Sequence, residues 1–165
     1  LEGLVMATRA GDVDPGLVLW LLRRGGLSVA ALEEALENDS GLAGLSGVSG
    51  DLRLVVGAAD AGDGQARLAY AVYLHRLRAG VAAMAAAMGG VDGVVFTGGA
   101  GENSARLRRD ACRGLGFLGV VVDDGTNEAA SDDRLVSPAG PSTAVAVVAA
   151  REDLEIARQV REVLG

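Results

Sequence analysis

The chain has 165 residues with 22 acidic and 15 basic side chains, a formal net charge of −7 and no lysine, every basic residue being an arginine. Without lysine the chain cannot form a Walker-type phosphate loop or a lysine Schiff base. One cysteine allows neither an internal disulfide nor a multi-cysteine zinc site, and the acidic balance argues against a nucleic-acid surface.

Half of the residues are hydrophobic but only 3% are aromatic, so a core must be assembled from small aliphatic side chains. The length fits one domain. The amino-terminal LEGLVMATRAGD carries Glu2 and no basic n-region. The uncharged stretch Ala79 to Val91 is too short and glycine-rich to span a bilayer. These features lead us to expect a soluble, intracellular, cytoplasmic chain with no membrane partner.

The first element in chain order is a helix in GDVDPGLVLWLLRRGG, with Asp14 as cap, Pro15 at the first position and Gly25-Gly26 as the stop. Ser28 opens a second helix, with Ala31, Leu32, Ala35 and Leu36 on one face. GLAGLSGVSGD, with glycine at 41, 44, 47 and 50, reads as a structured loop. Asp51 to Met88 is helical with a break at Ala61-Gly62-Asp63-Gly64. Its second piece is apolar on more than one face and ends in small residues, which suits either a core or an oligomer interface.

After Met88 the pattern changes. DGVVFTGG reads as a short buried strand ending in glycines, ENSARLRRDACRGLG as a helix, and GVVVD as another strand. A polar loop (DDGTNEAASDD), a weak strand around Leu135-Val136, a buried strand over Thr143 to Ala149 and a closing helix, REDLEIARQVREVL, complete the chain. Alternation of strands and helices predicts an α/β sheet with parallel strands behind a helical first half, with no separating linker.

Several residues carry candidate chemistry. In VVFTGGAGENSARLR a strand feeds glycines and then a helix starting near Asn103 or Ser104. Such a turn can cradle phosphate or ribose oxygens, or simply be a tight turn with a cap. The third glycine of a dinucleotide fingerprint is absent, with Ser104 in its place. Asp51 and Arg53 can meet ribose and purine or phosphate, or cap a helix and face solvent. Arg9 can serve a phosphate or a surface ion pair. Glu152 reads as a carboxylate placed for the helix dipole, or as a metal-facing group. His75 reads as a core or surface residue, Cys112 as an apolar filler, and Arg106, Arg108, Arg109 and Arg113 as a solvated helix face.

Taken together, LEGLVMATRAGDVDPG, SGLAGLSGVSGDLR, AMGGVDGVVFTGGAGENSA and AREDLEIAR resemble, in order and over nearly the whole chain, the carboxy-terminal half of the acetate kinase family. The resemblance implies the fold of the actin, Hsp70 and sugar-kinase superfamily, a ribonuclease H-like α/β architecture of which residues 1–165 would be the carboxy-terminal nucleotide-binding portion. It implies ATP-dependent phosphorylation of acetate to acetyl phosphate, with ATP/ADP and Mg²⁺ as cofactors and a homodimer as the assembly. By the same resemblance Arg9 stabilises the transferring phosphoryl group. Asp51, Leu52 and Arg53 contact the adenosine, Gly99, Ala100, Gly101, Glu102 and Asn103 form a nucleotide loop, and Glu152 is associated with magnesium. Propionate and butyrate kinases share the pattern.

The chain departs from the family at Ala7, Ala10 and Ala100, and at Ala150-Arg151-Glu152-Asp153 where Thr-Asn-Glu-Glu is usual. An arginine beside the metal carboxylate would lower its effective charge. The family's second arginine, catalytic aspartate, histidines and HLGNG loop have no counterpart, and the chain opens mid-motif at Leu1 without an initiator methionine. The isolated chain is therefore expected to be inactive, as a partial chain. The other reading is a short non-catalytic module that binds nucleotide or dimerises.

Overall fold

The computed structural model describes residues 2–140 and 143–165, so Leu1, which opens the first matching motif, lies outside the described residues. The chain divides into two compact units, one ending at Ala87 and the next beginning at Met88, where length alone suggested one domain.

The first unit is helical among its described residues. Helix α1 (Pro15–Arg23) starts where expected, with the Asp14 carboxylate accepting the Gly16 N–H at 2.6 Å and proline at a position whose N–H would have no helical partner. Ser28 caps α2 (Val29–Glu37) through the Ala31 N–H. The glycine-spaced segment read as a loop contains a short helix, α3 (Gly41–Ser46). Asp51 caps α4 (Leu52–Asp60), and after the anticipated break α5 runs from Gly64 to Met88. Ala66, Ala69, Tyr70 and Leu74, at helical spacing, are the buried side of α5, while Leu68, Met84 and Met88 stay exposed.

The second unit contains β1 (Gly93–Phe96), α6 (Gly98–Asn103), α7 (Ala105–Arg113), a 3-10 turn at Gly116–Leu118, α8 (Asp124–Glu128), β2 (Arg134–Leu135), β3 (Ala144–Val147) and α9 (Glu152–Leu164). Among the described residues the strands lie in the order β1-β3-β2. β1 runs parallel to β3, Gly93 facing Ala144 and Phe96 facing Val147, but β2 is antiparallel to β3. The sheet is mixed, not parallel. The helices between β1 and β3 provide the crossover that parallel pairing needs, whereas the link from β2 to β3 is too short for one.

Position in the sheet decides burial. Central β3 buries Val145 and Val147, while β1 is an edge with Val95 exposed, so it is not the buried strand expected. GVVVD forms no strand, and only Val120 makes a lone parallel bridge to Thr143. The polar loop from Asp123 contains α8, capped by the Asp123 carboxylate on the Thr126 N–H. Leu107, Ala111, Leu115, Val136 and Cys112 pack the interior. Burial pushes the Cys112 thiol up to about 11, so it stays protonated and acts as an apolar filler.

Candidate functional site

Arg9 sits in a loop with no regular structure of its own, so its position is set by neighbours. The Thr8 hydroxyl donates to the Glu37 carbonyl at 2.9 Å, and the Ala10 N–H donates to Leu36 O at the end of α2. The other edge of the loop accepts from the start of α3: Ser40 N–H to Thr8 O, Leu42 N–H to Met6 O and Ala43 N–H to Ala7 O, at 2.8 to 3.0 Å. Gly41 is what permits this approach, since a Cβ there would collide with the Met6 carbonyl and lie 2.9 Å from the Arg9 nitrogen. The guanidinium is exposed, with Glu37 Oε2 3.1 Å from Nε. An exposed pair contributes little stability, so Glu37 acts mainly by orienting the planar fork.

Asp51, Leu52 and Arg53 begin α4 beside that loop. Gly50 lies so near Ala7 that a Cβ on it would be 2.9 Å from the Ala7 carbonyl oxygen. The unit therefore brings the Arg9 loop and the approach to Asp51 together. The Asp51 carboxylate accepts the Arg53 N–H at 2.9 Å and is gripped by the Arg53 guanidinium at 2.6 and 3.0 Å. That guanidinium first, and the backbone amide second, lower the Asp51 pKa from 3.8 to about 2. A depressed carboxylate favours the fold above its unfolded pKa, and this contribution is lost as pH falls through the folded value. Carboxyl NMR is expected to show Asp51 titrating near 2, and Arg53→Gln to return it toward 3.8.

In the second unit the candidate residues gather where β1 and β3 end, the edge at which open α/β sheets bind ligands. The glycine segment is itself a short helix, α6, beginning at Gly98, and the expected helix follows it as α7, with Ser104 as its cap accepting the Leu107 N–H at 3.1 Å. Its glycines divide in role. Gly101 is buried, and a Cβ there would be 3.3 Å from Phe96 backbone. At Gly98 and Gly99 a Cβ would meet nothing within 4 Å among the described residues, which leaves the backbone open to close approach.

Glu102 faces inward. Its Oε1 accepts the Gly98 N–H at 2.7 Å and the Ala150 N–H at 2.8 Å, tying the exits of β1 and β3 together. The Gly98 amide is therefore engaged within the protein. Asn103 donates its side-chain amide to the Gly99 carbonyl at 2.9 Å, and Ala100 is half-buried. An open cleft of about 580 Å³ lies alongside, bordered by Asn103, Ser104, Arg106, Glu128 and Asp132.

Arg108 is the residue that sequence reasoning missed. Grouped with a solvated arginine face, it is instead 1% exposed and among the largest fully buried side chains described. Its guanidinium donates to Gly101 O, Glu102 O, Asn127 Oδ1 and Asn127 O at 2.6 to 2.8 Å. Burial lowers its pKa from the ordinary arginine value, and Glu128 opposes that shift. The neighbours behave as surface residues: Arg109 pairs with Glu128 at 2.8 Å, and Arg106 and Arg113 face Asp110. The one available signal was the apolar periodicity of α7, where Arg108 follows Leu107 into the buried face with Ala111 and Cys112.

Glu152 opens α9 and is exposed, with Asp153 and Glu155 in the same first turn. Arg151 turns onto Asp133, Nη2 to Oδ2 at 2.7 Å, and Asp133 also accepts the Ala149 N–H. The arginine that departs from the family pattern thus has its charge matched by Asp133. Among the described residues no cluster of three or more His, Cys, Asp or Glu side chains could hold a metal by itself. Magnesium usually takes one or two carboxylates plus phosphate oxygens and water, a pattern a lone Glu152 fits. His75 is exposed on α5.

Residues 1–158 match the family model described as the acetokinase family. The chain belongs to the acetokinase family. It is 46% identical over 163 residues to an acetate kinase from Thermosynechococcus vestitus, covering 99% of this chain and 39% of that protein. To one from Clavibacter sepedonicus it is 51% identical over 160 residues, covering 96% and 40%. The crystal structure of Porphyromonas gingivalis acetate kinase superposes with a TM-score of 0.91 at 41% identity, over 99% of this chain and 41% of that one. A propionate kinase from Francisella tularensis gives 0.86 at 34% identity, over 94% and 39%. This acetokinase chain therefore spans about two fifths of the length of the relatives it matches. Those structural neighbours confirm the α/β architecture of the family. No helix among the described residues is long and apolar enough to cross a membrane.

Proposed function

We propose that this chain is the nucleotide-side portion of an enzyme that transfers phosphate reversibly between ATP and acetate. An acetate oxygen attacks the γ-phosphorus, the bond from that phosphorus to the β,γ-bridging oxygen breaks, and acetyl phosphate and ADP result. The reading rests on one observation above the rest: the open Gly98-Gly99 backbone at the exits of the parallel strands, on a chain belonging to the acetokinase family. The adjoining cleft is large enough for a nucleoside. The likeness to a propionate kinase supports a short carboxylate as the acceptor class, with acetate first.

Arg9 meets the charge that builds on the equatorial phosphoryl oxygens, and as a guanidinium it does so without exchanging a proton. Asp51 holds ribose hydroxyls, while Leu52 and Arg53 line the nucleoside. Gly99, Ala100 and Asn103 present the second nucleotide surface, with Gly101 and Glu102 shaping it from within. Glu152 would hold magnesium, which supplies charge neutralisation for the ATP phosphates when bound. Exposed Met84 and Met88, one turn apart on α5, would suit a homodimer contact.

Trapping acyl phosphate as its hydroxamate tests the proposal. A full-length protein that includes this chain is expected to give hydroxamate from acetate and Mg-ATP, and the 165 residues alone to give none. Product from the isolated chain would show that no residue outside it is needed.

A further inference from the structure

We propose that Arg108 and Asn127 form a buried clamp that positions the glycine helix α6 for nucleotide, which makes them positioning residues that do not touch it. The inference rests on the nucleotide reading of α6 given above. A six-residue helix with glycine at 98, 99 and 101 has little intrinsic stability, since glycine is the poorest helix former after proline and so short a helix seldom repays nucleation. Something outside α6 must hold it in one conformation.

At its start the Glu102 carboxylate accepts the Gly98 amide. Near its end Arg108 Nη1 donates to the carbonyls of Gly101 and Glu102, at 2.8 and 2.7 Å. These are carbonyls of the last turn, which α6 itself cannot satisfy. The arginine is in turn fixed by α8. Nε donates to Asn127 Oδ1 at 2.6 Å, Nη2 donates to Asn127 O at 2.8 Å, and Asn127 Nδ2 donates to Ala105 O at 2.8 Å. Asn127 is fully buried and Arg108 is 1% exposed, so water cannot replace these bonds.

Lysine cannot substitute. Its ammonium is a single point donor, whereas this site uses all three guanidinium nitrogens in a fixed plane. The otherwise polar α8 is started by its Asp123 cap and held in place by the bonds between Asn127 and Arg108.

Arg108→Lys, Asn127→Leu and, as a surface control, Arg113→Ala in the full-length protein provide the test. Steady-state KM for ATP and for acetate, ATP affinity by calorimetry and the thermal midpoint are measured for each. Arg108→Lys is expected to raise KM and Kd for ATP by at least about tenfold with the acetate KM unmoved. Asn127→Leu, which removes the side-chain acceptor but keeps the backbone carbonyl, is expected to show the same split to a smaller extent. Loss of thermal stability with unchanged ATP affinity, or equal rises in both KM values, would overturn the clamp. If both variants fail to fold, limited proteolysis of the wild type without nucleotide decides: resistance at residues 98–103 supports the clamp, and ready cleavage there that only ATP prevents overturns it. A wild type that binds ATP without phosphorylating acetate defeats the proposed reaction but leaves the clamp to the calorimetric arm. A wild type that binds no nucleotide defeats both.

Discussion

Arg9→Ala in the full-length protein is expected to lower kcat on the order of 10³-fold or more while ATP affinity stays near wild type, because a transition-state arginine acts on charge that the ground state lacks. Two features of the structure sharpen this expectation. The loop backbone is bonded on both sides, to α2 and to α3, so removing the side chain is not expected to displace it. The guanidinium is exposed, with Glu37 as its ion-pair partner at 3.1 Å, so its loss costs the fold little. Glu37→Ala keeps the guanidinium but frees Nε, and is expected to lower kcat by a much smaller factor. Rapid-quench turnover and calorimetry on the same preparations separate the effects. Equal loss of turnover and ATP affinity in Arg9→Ala would assign Arg9 to ground-state binding instead.

Gly41→Ala is expected to be among the most destabilising single-methyl additions in the first unit. Gly41 has φ +63°, and an added Cβ would collide with the Met6 carbonyl while also crowding Ala7 O and the Arg9 nitrogen at 2.9 Å. The left-handed backbone costs alanine about 1–2 kcal/mol and overpacking against fixed backbone about 1–3 kcal/mol. Reduced freedom of the unfolded chain returns only about 0.4–1 kcal/mol, so the sum is clearly destabilising. Gly47 supplies the comparison, with φ +65° and nothing within 4 Å of its would-be Cβ among the described residues. Gly47→Ala should lose only the backbone contribution. Denaturant midpoints for the two variants isolate the steric part, and equal midpoints would mean that α3 can move off the Arg9 loop at no cost. A shifted loop would also misplace Arg9, so Gly41→Ala is expected to reduce turnover.

Much of the fold was legible in the sequence because its signals are local. Asp14-Pro15, Ser28 and Asp51 each supply a side-chain oxygen to nearby free N–H groups, and the break at Ala61-Gly62-Asp63 separates α4 from α5 as its residues imply. The family, too, was legible, from FTGGAGEN and the MATRAGDVDP stretch in their proper order. Three readings were not recoverable from local pattern. Helix α3 forms although its residues read as a loop, because its amides are bonded to the Arg9 loop. β2 pairs antiparallel to β3, a matter of link length and not of strand propensity. Val95 sits on an edge strand and stays exposed although it lies in a continuous apolar run that reads as buried.

The candidate site divides along the same line. Composition alone ruled out a lysine-based phosphate loop, and motif order alone placed Arg9, Asp51 and the glycines in one family. Only the tertiary structure turned Glu102 inward onto Gly98 and Ala150, matched Arg151 with Asp133, and took Arg108 from its apparent place among surface arginines into the interior. The reason is physical. A charged side chain can be buried only where several acceptors converge, and the acceptors for Arg108 come from α6 and α8, elements that meet it only when the chain is folded. Sequence spacing records what a residue can offer its near neighbours, whereas this convergence depends on residues up to nineteen positions away.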